Sequence, residues 1–268
     1  MDKLKGKVAI VTGGAGGIGR AYAIRLALLG ADVAIIDIDL NVASRYGETL
    51  SAASVMEEVK QLGGRSIGIE SDLSQRAAAV AAVNRVIDEF GRLDILVNNA
   101  GGAITSVEAS CPSQSSVEDT ERLFAVNFYS MVHCCQAAIP AMRRQGGSIV
   151  NMTTNGVDRT PAGGRLAMYN SAKAAVLRFT QSLAVELAPA GIRVNCISPG
   201  IIESARIKSQ ASTRGFPNAT HAEMVPMGRL GTPEDCAGVL EFLTTDLSRY
   251  VTGECIRVSG GATLVSSL

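Results

Sequence analysis

A short apolar run breaks into a glycine-dense turn and resumes as a helix, and this junction narrows the possible folds more than any other feature of the chain. Lys7 to Val11 reads as a strand. Thr12-Gly13-Gly14-Ala15-Gly16-Gly17-Ile18-Gly19 follows, and Ile18 to Leu29 has helical periodicity that Gly30 closes. Glycines let the backbone turn sharply and let a phosphate approach closely, while the first turn of the helix offers free N–H groups and the positive end of its dipole. Gly14, Gly16 and Gly19 fit G-x-G-x-x-G, and Gly13, Gly17 and Gly19 fit G-x-x-x-G-x-G. Either spacing alone is weak, but both require a strand before and a helix after, and both are present.

The same alternation continues along the chain. Strands are expected at Asp32–Ile38, Ser66–Glu70, Asp94–Asn98, Ser148–Met152, Arg193–Ile197 and Glu254–Val258. Helices are expected at Val55–Leu62, near Ala77–Phe90, over one long span from about Ser116 to Arg144, at about Met168–Leu187 and at Pro233–Leu243. The strands are apolar in both phases, the pattern of a parallel sheet covered on both faces. Strands alternating with helices make βαβ units and a doubly wound α/β fold. Without a linker or internal repeat, residues 1–268 read as one domain. Residues 39–54 and 201–227 are the least regular stretches. Ligands in such folds lie beyond the carboxyl ends of the strands, which places 201–227 as a substrate-binding lid.

Composition removes several classes of function. Lys plus Arg equals Asp plus Glu at 25 each, so no electrostatic footprint for nucleic acid or an anionic membrane exists. The six cysteines form no C-x-x-C pair and no zinc spacing, and they read as reduced thiols of a cytosolic protein. No run has the length of a membrane span and the N-terminus lacks a signal peptide, so a soluble cytoplasmic protein is expected.

Two further positions carry chemistry. Asp37 ends the second strand, where a carboxylate can accept hydrogen bonds from both hydroxyls of an adenosine ribose and would repel a 2′-phosphate. No Arg or Lys lies immediately after it or within the glycine turn, so NAD is expected over NADP. Tyr169-Asn170-Ser171-Ala172-Lys173 opens a helix, with Tyr169 and Lys173 on one face at i, i+4. A neighbouring ammonium favours the phenolate and lowers its pKa, which makes the pair a general acid/base for a substrate hydroxyl.

These features stand in one order with Asn98-Asn99-Ala100-Gly101, Asn127 and Pro199-Gly200. From Lys5 to Gly261 the chain thereby resembles the short-chain dehydrogenase/reductase family. The resemblance implies a Rossmann-like single domain, NAD(P) without metal, and a homotetramer or homodimer. It implies hydride transfer between the cofactor and a secondary alcohol or ketone, with a same-fold epimerase or dehydratase, or a catalytically weak nucleotide-binding subunit, as alternatives. Carried over by position, Tyr169 exchanges the proton, and Lys173 lowers its pKa and holds the nicotinamide ribose. Asn127 supports a water relay to that lysine. Gly13, Gly17, Ile18 and Gly19 form the dinucleotide turn, Asp72 and Leu73 meet the adenine, and Asn99 lines the cleft. Ile202 and Ser204 meet the carboxamide. The family's Ser at the end of the fifth strand is absent. Alignment from the strand puts Thr154 there, with Thr153 and Asn155 as competitors, and about two extra residues are expected within Asp158–Gly164. Ser259 replaces the usual Asp before the final Gly-Gly, a change for which the sequence offers no functional account.

Overall fold

The structure, a computed structural model, describes residues 3–107, 110–214 and 219–265. Its strands are β1 (Val8–Thr12), β2 (Asp32–Asp37), β3 (Ser66–Glu70), β4 (Ile95–Asn98), β5 (Gly147–Met152), β6 (Ile192–Pro199) and β7 (Cys255–Val258). The α-helices are α1 (Gly17–Leu28), α2 (Val42–Arg45), α3 (Val55–Gln61), α4 (Arg76–Phe90), α5 (Val117–Phe124), α6 (Ser130–Met142), α7 (Ala167–Leu187), α8 (Ala205–Arg214), α9 (Ala219–Glu223) and α10 (Pro233–Thr244). Among the described residues the strands form one sheet in the order β3-β2-β1-β4-β5-β6-β7, every pair parallel. The connections reverse direction between β1 and β4, the switch point at which such sheets open a ligand crevice.

Alternate residues of each strand feed opposite faces. Ala9, Val11, Val33 and Ile35 pack with Tyr22 and Leu26 of α1, Val59 of α3 and Leu240 of α10. Val8, Ile10, Ala34 and Ile36 pack with Val83 of α4, Met131 and Cys135 of α6 and Val176 of α7. This two-sided burial explains why the central strands β1, β2 and β4 are apolar in both phases. Each fully buried side chain of the Leu26 kind stabilises the fold by about 2 kcal/mol. Helix starts follow local chemistry: Ser54 accepts from Glu57 N–H at 3.2 Å, Ser116 accepts from Asp119 N–H at 3.0 Å, and Thr232 and Asp235 form a reciprocal capping box on α10.

Two expectations change. The long helix from Ser116 runs on as foreseen, but Ala125–Tyr129 form a π-helical turn between α5 and α6, a defect often found at functional positions. The stretch 201–227 is not irregular, because α8 and α9 occupy much of it. Arg-Ile-Lys-Ser-Gln-Ala-Ser-Thr-Arg lacks an apolar stripe, so periodicity could not reveal α8. Residues 215–218, and the side chain of Arg214, lie outside the described residues. Residues 39–54 hold only the single turn α2.

Candidate active site

The carboxyl ends of β1, β2, β4, β5 and β6 face one crevice. At β1 the glycine turn is anchored from behind. Thr12 Oγ1 accepts from the N–H groups of Asn99 and Ala100 at 3.0 and 3.1 Å, and Asn99 Nδ2 donates to the carbonyls of Thr12 and Gly13 at 3.2 and 2.9 Å. Asn99, expected to line the cleft, thus has its side chain on the turn itself. Gly19 is required by packing, since a methyl group there would collide with the Gly13 carbonyl.

Asp37, nine-tenths buried, follows at the end of β2, and its Oδ2 accepts from Ala15 N–H at 3.0 Å. Burial raises its pKa, and the Ala15 N–H opposes that shift. Asp72 is exposed and its Oδ1 accepts from Ser74 N–H at 3.0 Å, while Leu73 is buried. The nearby Ser71 N–H bonds the Asp37 carbonyl, so the two acids share one end of the sheet.

The stretch after β2 supplies groups that the sequence did not announce. Glu48 Oε2 accepts from Gly17 N–H at 2.8 Å, and Arg20 Nη1 donates to Glu48 Oε1 at 3.0 Å. Arg20 also forks onto Glu58, through Nε at 2.8 Å and Nη2 at 2.7 Å, and Glu58 accepts from the N–H and hydroxyl of Ser51. Hydrogen bonds from Glu58 raise the Arg20 pKa, and the pairing holds Glu58 below its usual value despite burial. Arg20 therefore offers no uncompensated charge to a 2′-phosphate. These partners are about thirty to forty residues apart, so no local motif marks them.

The reacting end gathers on β5 and α7. The Thr154 hydroxyl, which accepts from Gly156 N–H at 3.4 Å, lies near enough to the Tyr169 phenol to lower its pKa. Thr153 is buried with its hydroxyl on the Thr154 backbone, and Asn155 Oδ1 sits 3.5 Å from Thr154 Oγ1. Of the three candidates, Thr154 is the one at the phenol. The start of α7 is pinned by Ser110, whose Oγ accepts from Leu166 N–H at 3.0 Å and whose carbonyl accepts from Ala167 N–H at 3.1 Å. Leu166 adopts φ 60° there, a conformation that costs a non-glycine residue about 1 kcal/mol or more. Lys173 is buried and its Nζ donates to the Met152 carbonyl at 2.9 Å.

The electrostatics differ from the sequence expectation. Burial raises the Tyr169 pKa, opposed by the Arg206 charge and by the nearby Thr154 hydroxyl. The residue as a whole is half-buried, yet desolvation still outweighs both opposing influences. Burial also depresses the Lys173 pKa to about 8, with the Arg206 charge adding to the effect. The expected lowering of the phenol by Lys173 is thus overridden in this state, because a poorly solvated site disfavours both charged forms.

Asn127 lies in the π-helical turn. Its Oδ1 accepts from Gly102 N–H at 2.8 Å, and its Nδ2 donates to the carbonyls of Gly102 and Leu123 at 3.1 and 2.9 Å. The side chain thereby holds the Gly102 backbone in place. Ile202 and Ser204, both buried, follow β6, and a methyl group at Gly17 would lie 3.4 Å from Ser204 Cβ. The inserted stretch is tied to the far edge of the sheet: Arg257 forks onto Asp158 at 2.8 and 2.6 Å, and Arg159 Nη1 donates to the Ala262 carbonyl at 2.6 Å. Among the described residues, no group of three or more His, Cys, Asp or Glu side chains could hold a metal ion.

A family model described as Enoyl-(Acyl carrier protein) reductase matches residues 13–263. The chain is 44% identical over 266 residues to a cyclohexanol dehydrogenase of Rhodococcus sp. (strain TK6), covering 97% of each. It is 37% identical to an L-rhamnose 1-dehydrogenase (NAD(P)(+)) of Sphingomonas sp. (strain SKA58), covering 97% of this chain and 98% of the relative. A solved short-chain type dehydrogenase/reductase from Mycobacterium marinum superposes with a TM-score of 0.86 at 31% identity, covering 98% of this chain and 97% of the other.

Proposed function

The chain belongs to the short-chain dehydrogenase/reductase family, whose dehydrogenases act on CH–OH groups, and we propose that it uses NAD to interconvert a ring-borne secondary alcohol and its ketone. The observation that carries the reading is Tyr169 one turn before a buried Lys173 on α7, with Lys173 Nζ held on the Met152 carbonyl at the end of β5, next to Thr154. The ring carbinol is suggested by the cyclohexanol-oxidising relative.

The residues fit the dinucleotide. Gly13, Gly17, Ile18 and Gly19 form a tight turn at the open end of α1, in which a side chain at Gly13 or Gly19 would collide with the surrounding backbone. Glu48 shares the Gly17 N–H and must yield to, or stand beside, a diphosphate there. Asp37 takes the adenosine ribose hydroxyls, and with Arg20 neutralised by two carboxylates it favours NAD over NADP. Asp72 and Leu73 flank the adenine. Asn99 holds the turn, Tyr169 and Lys173 hold the nicotinamide ribose, and Ile202 and Ser204 meet the carboxamide. Bound there, the nicotinamide supplies a hydride acceptor and, in its oxidised form, a positive charge.

The chain's own residues supply the proton chemistry. The substrate hydroxyl sits between Thr154 Oγ and Tyr169 Oη, and Thr154 orients it. Tyr169 Oη takes the hydroxyl proton as the carbinol carbon loses hydride, and returns it in the reverse direction. Lys173, charged, stabilises the phenolate. Asn127 keeps Gly102 in place at the edge of the site. Residues 201–227, through α8, form the lid, and the protein assembles as a cytoplasmic homotetramer. No helix among the described residues is long and apolar enough to cross a membrane. Absorbance at 340 nm with cyclohexanol and NAD or NADP tests the reading. NADH formation, lost in Tyr169→Phe, supports it. Formation of NADPH alone overturns the cofactor choice, and undiminished turnover in Tyr169→Phe overturns the mechanism.

A further inference from the structure

Two cations meet at the reacting end without an anion. Lys173 is buried against a backbone carbonyl, and Arg206, in the first turn of α8, directs its guanidinium at the same crevice. A methyl group at Gly102 would lie 3.1 Å from both Nη1 and Nη2, so the planar head rests on the bare backbone of that glycine. Asn127 clamps the same backbone through the Gly102 N–H and carbonyl. The guanidinium therefore has a built seat, and its charge reaches both Tyr169 and Lys173.

Other exposed arginines, such as Arg76 and Arg85, also lack a carboxylate partner among the described residues, but Arg206 is the arginine whose charge falls on Tyr169 and Lys173. Arg20, Arg92, Arg229 and Arg257 each have a carboxylate oxygen within 3.0 Å. Among the described residues Arg206 has no ion pair, although it stays exposed to incoming solutes. Like charges at a partly desolvated site repel, and an anion placed between them turns that repulsion into attraction. A guanidinium fork matches the two oxygens of a carboxylate. Ser204, two residues earlier, faces Gly17 on the diphosphate side, whereas Arg206 faces Gly102 and the tyrosine. The anion it suits thus belongs to the substrate rather than to the cofactor.

We propose that Arg206 is the substrate-selecting residue of this enzyme and that it receives a carboxylate carried by the alcohol. The inference rests on the ring-alcohol dehydrogenase reading and narrows its substrate to hydroxycarboxylic acids.

The test compares kcat/KM with NAD for 3-hydroxycyclohexanecarboxylate, its methyl ester and cyclohexanol, in the wild type, Arg206→Lys and Arg206→Leu. A charge-assisted hydrogen bond corresponds to about a 10- to 100-fold preference. The wild type should prefer the acid over its ester by at least about 10-fold. The ratio should shrink in Arg206→Lys and approach one in Arg206→Leu, with the NAD dissociation constant unchanged. Equal use of acid and ester by the wild type overturns the inference and leaves the dehydrogenase reading standing. Equal losses on acid and ester in Arg206→Leu overturn it as well. Weakened NAD binding in Arg206→Leu assigns the anion to the cofactor diphosphate and also overturns it. If no probe is oxidised, the ring-alcohol reading falls. Quenching of bound-NADH fluorescence by cyclohexanecarboxylate, but not by its amide, then decides Arg206 on its own. Quenching lost in Arg206→Leu sustains the carboxylate site, and absence of quenching in the wild type overturns it.

Discussion

Around Asp37 the polar groups of the crevice are closed on one another. Ala15 N–H reaches Asp37, Gly17 N–H reaches Glu48, and Arg20 is shared by Glu48 and Glu58. Around Tyr169 they are not. Lys173 has a carbonyl, Arg206 has a bare glycine backbone, and the phenol is raised by burial. The first half is compensated before a ligand arrives. It should govern which dinucleotide binds. The second half holds positive charge and desolvated acid/base groups, so its ordinary protonation depends on what binds. It should govern the rate.

That division can be broken by substitution. The largest effect is expected for Tyr169→Phe, which removes the proton acceptor without changing shape. Turnover should fall by about 10³-fold, within the range of general acid/base catalysis, while the NAD dissociation constant, measured by fluorescence titration, rises by no more than about 10-fold, the worth of the one ribose hydrogen bond that is lost. Loss of NAD binding instead would mean that the two halves are not separable.

Lys173 tests the burial argument through stability. Its folded pKa of about 8 lies below the ordinary 10.5. The folded state therefore binds fewer protons than the unfolded state between those values, and stability rises with pH across that window. Below pH 8 the buried charge costs about 3 kcal/mol, from 1.36 kcal/mol per unit. Relative to Lys173→Met, the cofactor-free wild type should gain that much between pH 8 and 10.5 in denaturant melts. A flat difference would show that Lys173 is well solvated.

Thr154→Val should lower kcat by about 10²-fold, as loss of one oriented hydrogen-bond donor does elsewhere, with Thr154→Ser restoring it. Thr153→Val should leave kcat within about 2-fold, since the Thr153 hydroxyl meets only backbone among the described residues; as a surface-independent buried change its main cost should be stability. The reverse pattern would move the substrate hydroxyl to Thr153. A smaller effect than at Thr154 is expected on the compensated side. Asp37→Asn should weaken NAD binding by about 10-fold, one charge-assisted bond in magnitude, and raise relative affinity for NADP, with kcat little changed. Because burial raises the Asp37 pKa, NAD affinity should also begin to fall above the usual carboxylate range as pH drops. A kcat defect in Asp37→Asn would couple the halves.

Much of this protein is local in origin and was legible as such. Strand and helix identities follow from apolar period and glycine punctuation, and β3 (Ser66–Glu70) appears with the bounds the sequence predicts. The glycine turn and the Tyr169–Lys173 spacing are likewise contained in a few consecutive residues. Tertiary structure decided what depends on distant chain segments and on water. It put Thr154 rather than Thr153 or Asn155 at the phenol, brought Glu48 to the Gly17 N–H, and set Arg206 on Gly102. It also reversed the expected direction of the Tyr169 shift, because a spacing rule places a cation nearby but says nothing of desolvation. Residue order carries periodicity and turn chemistry, which act over a few residues; contact and burial are sums over the whole packed chain, and exist only once it has folded.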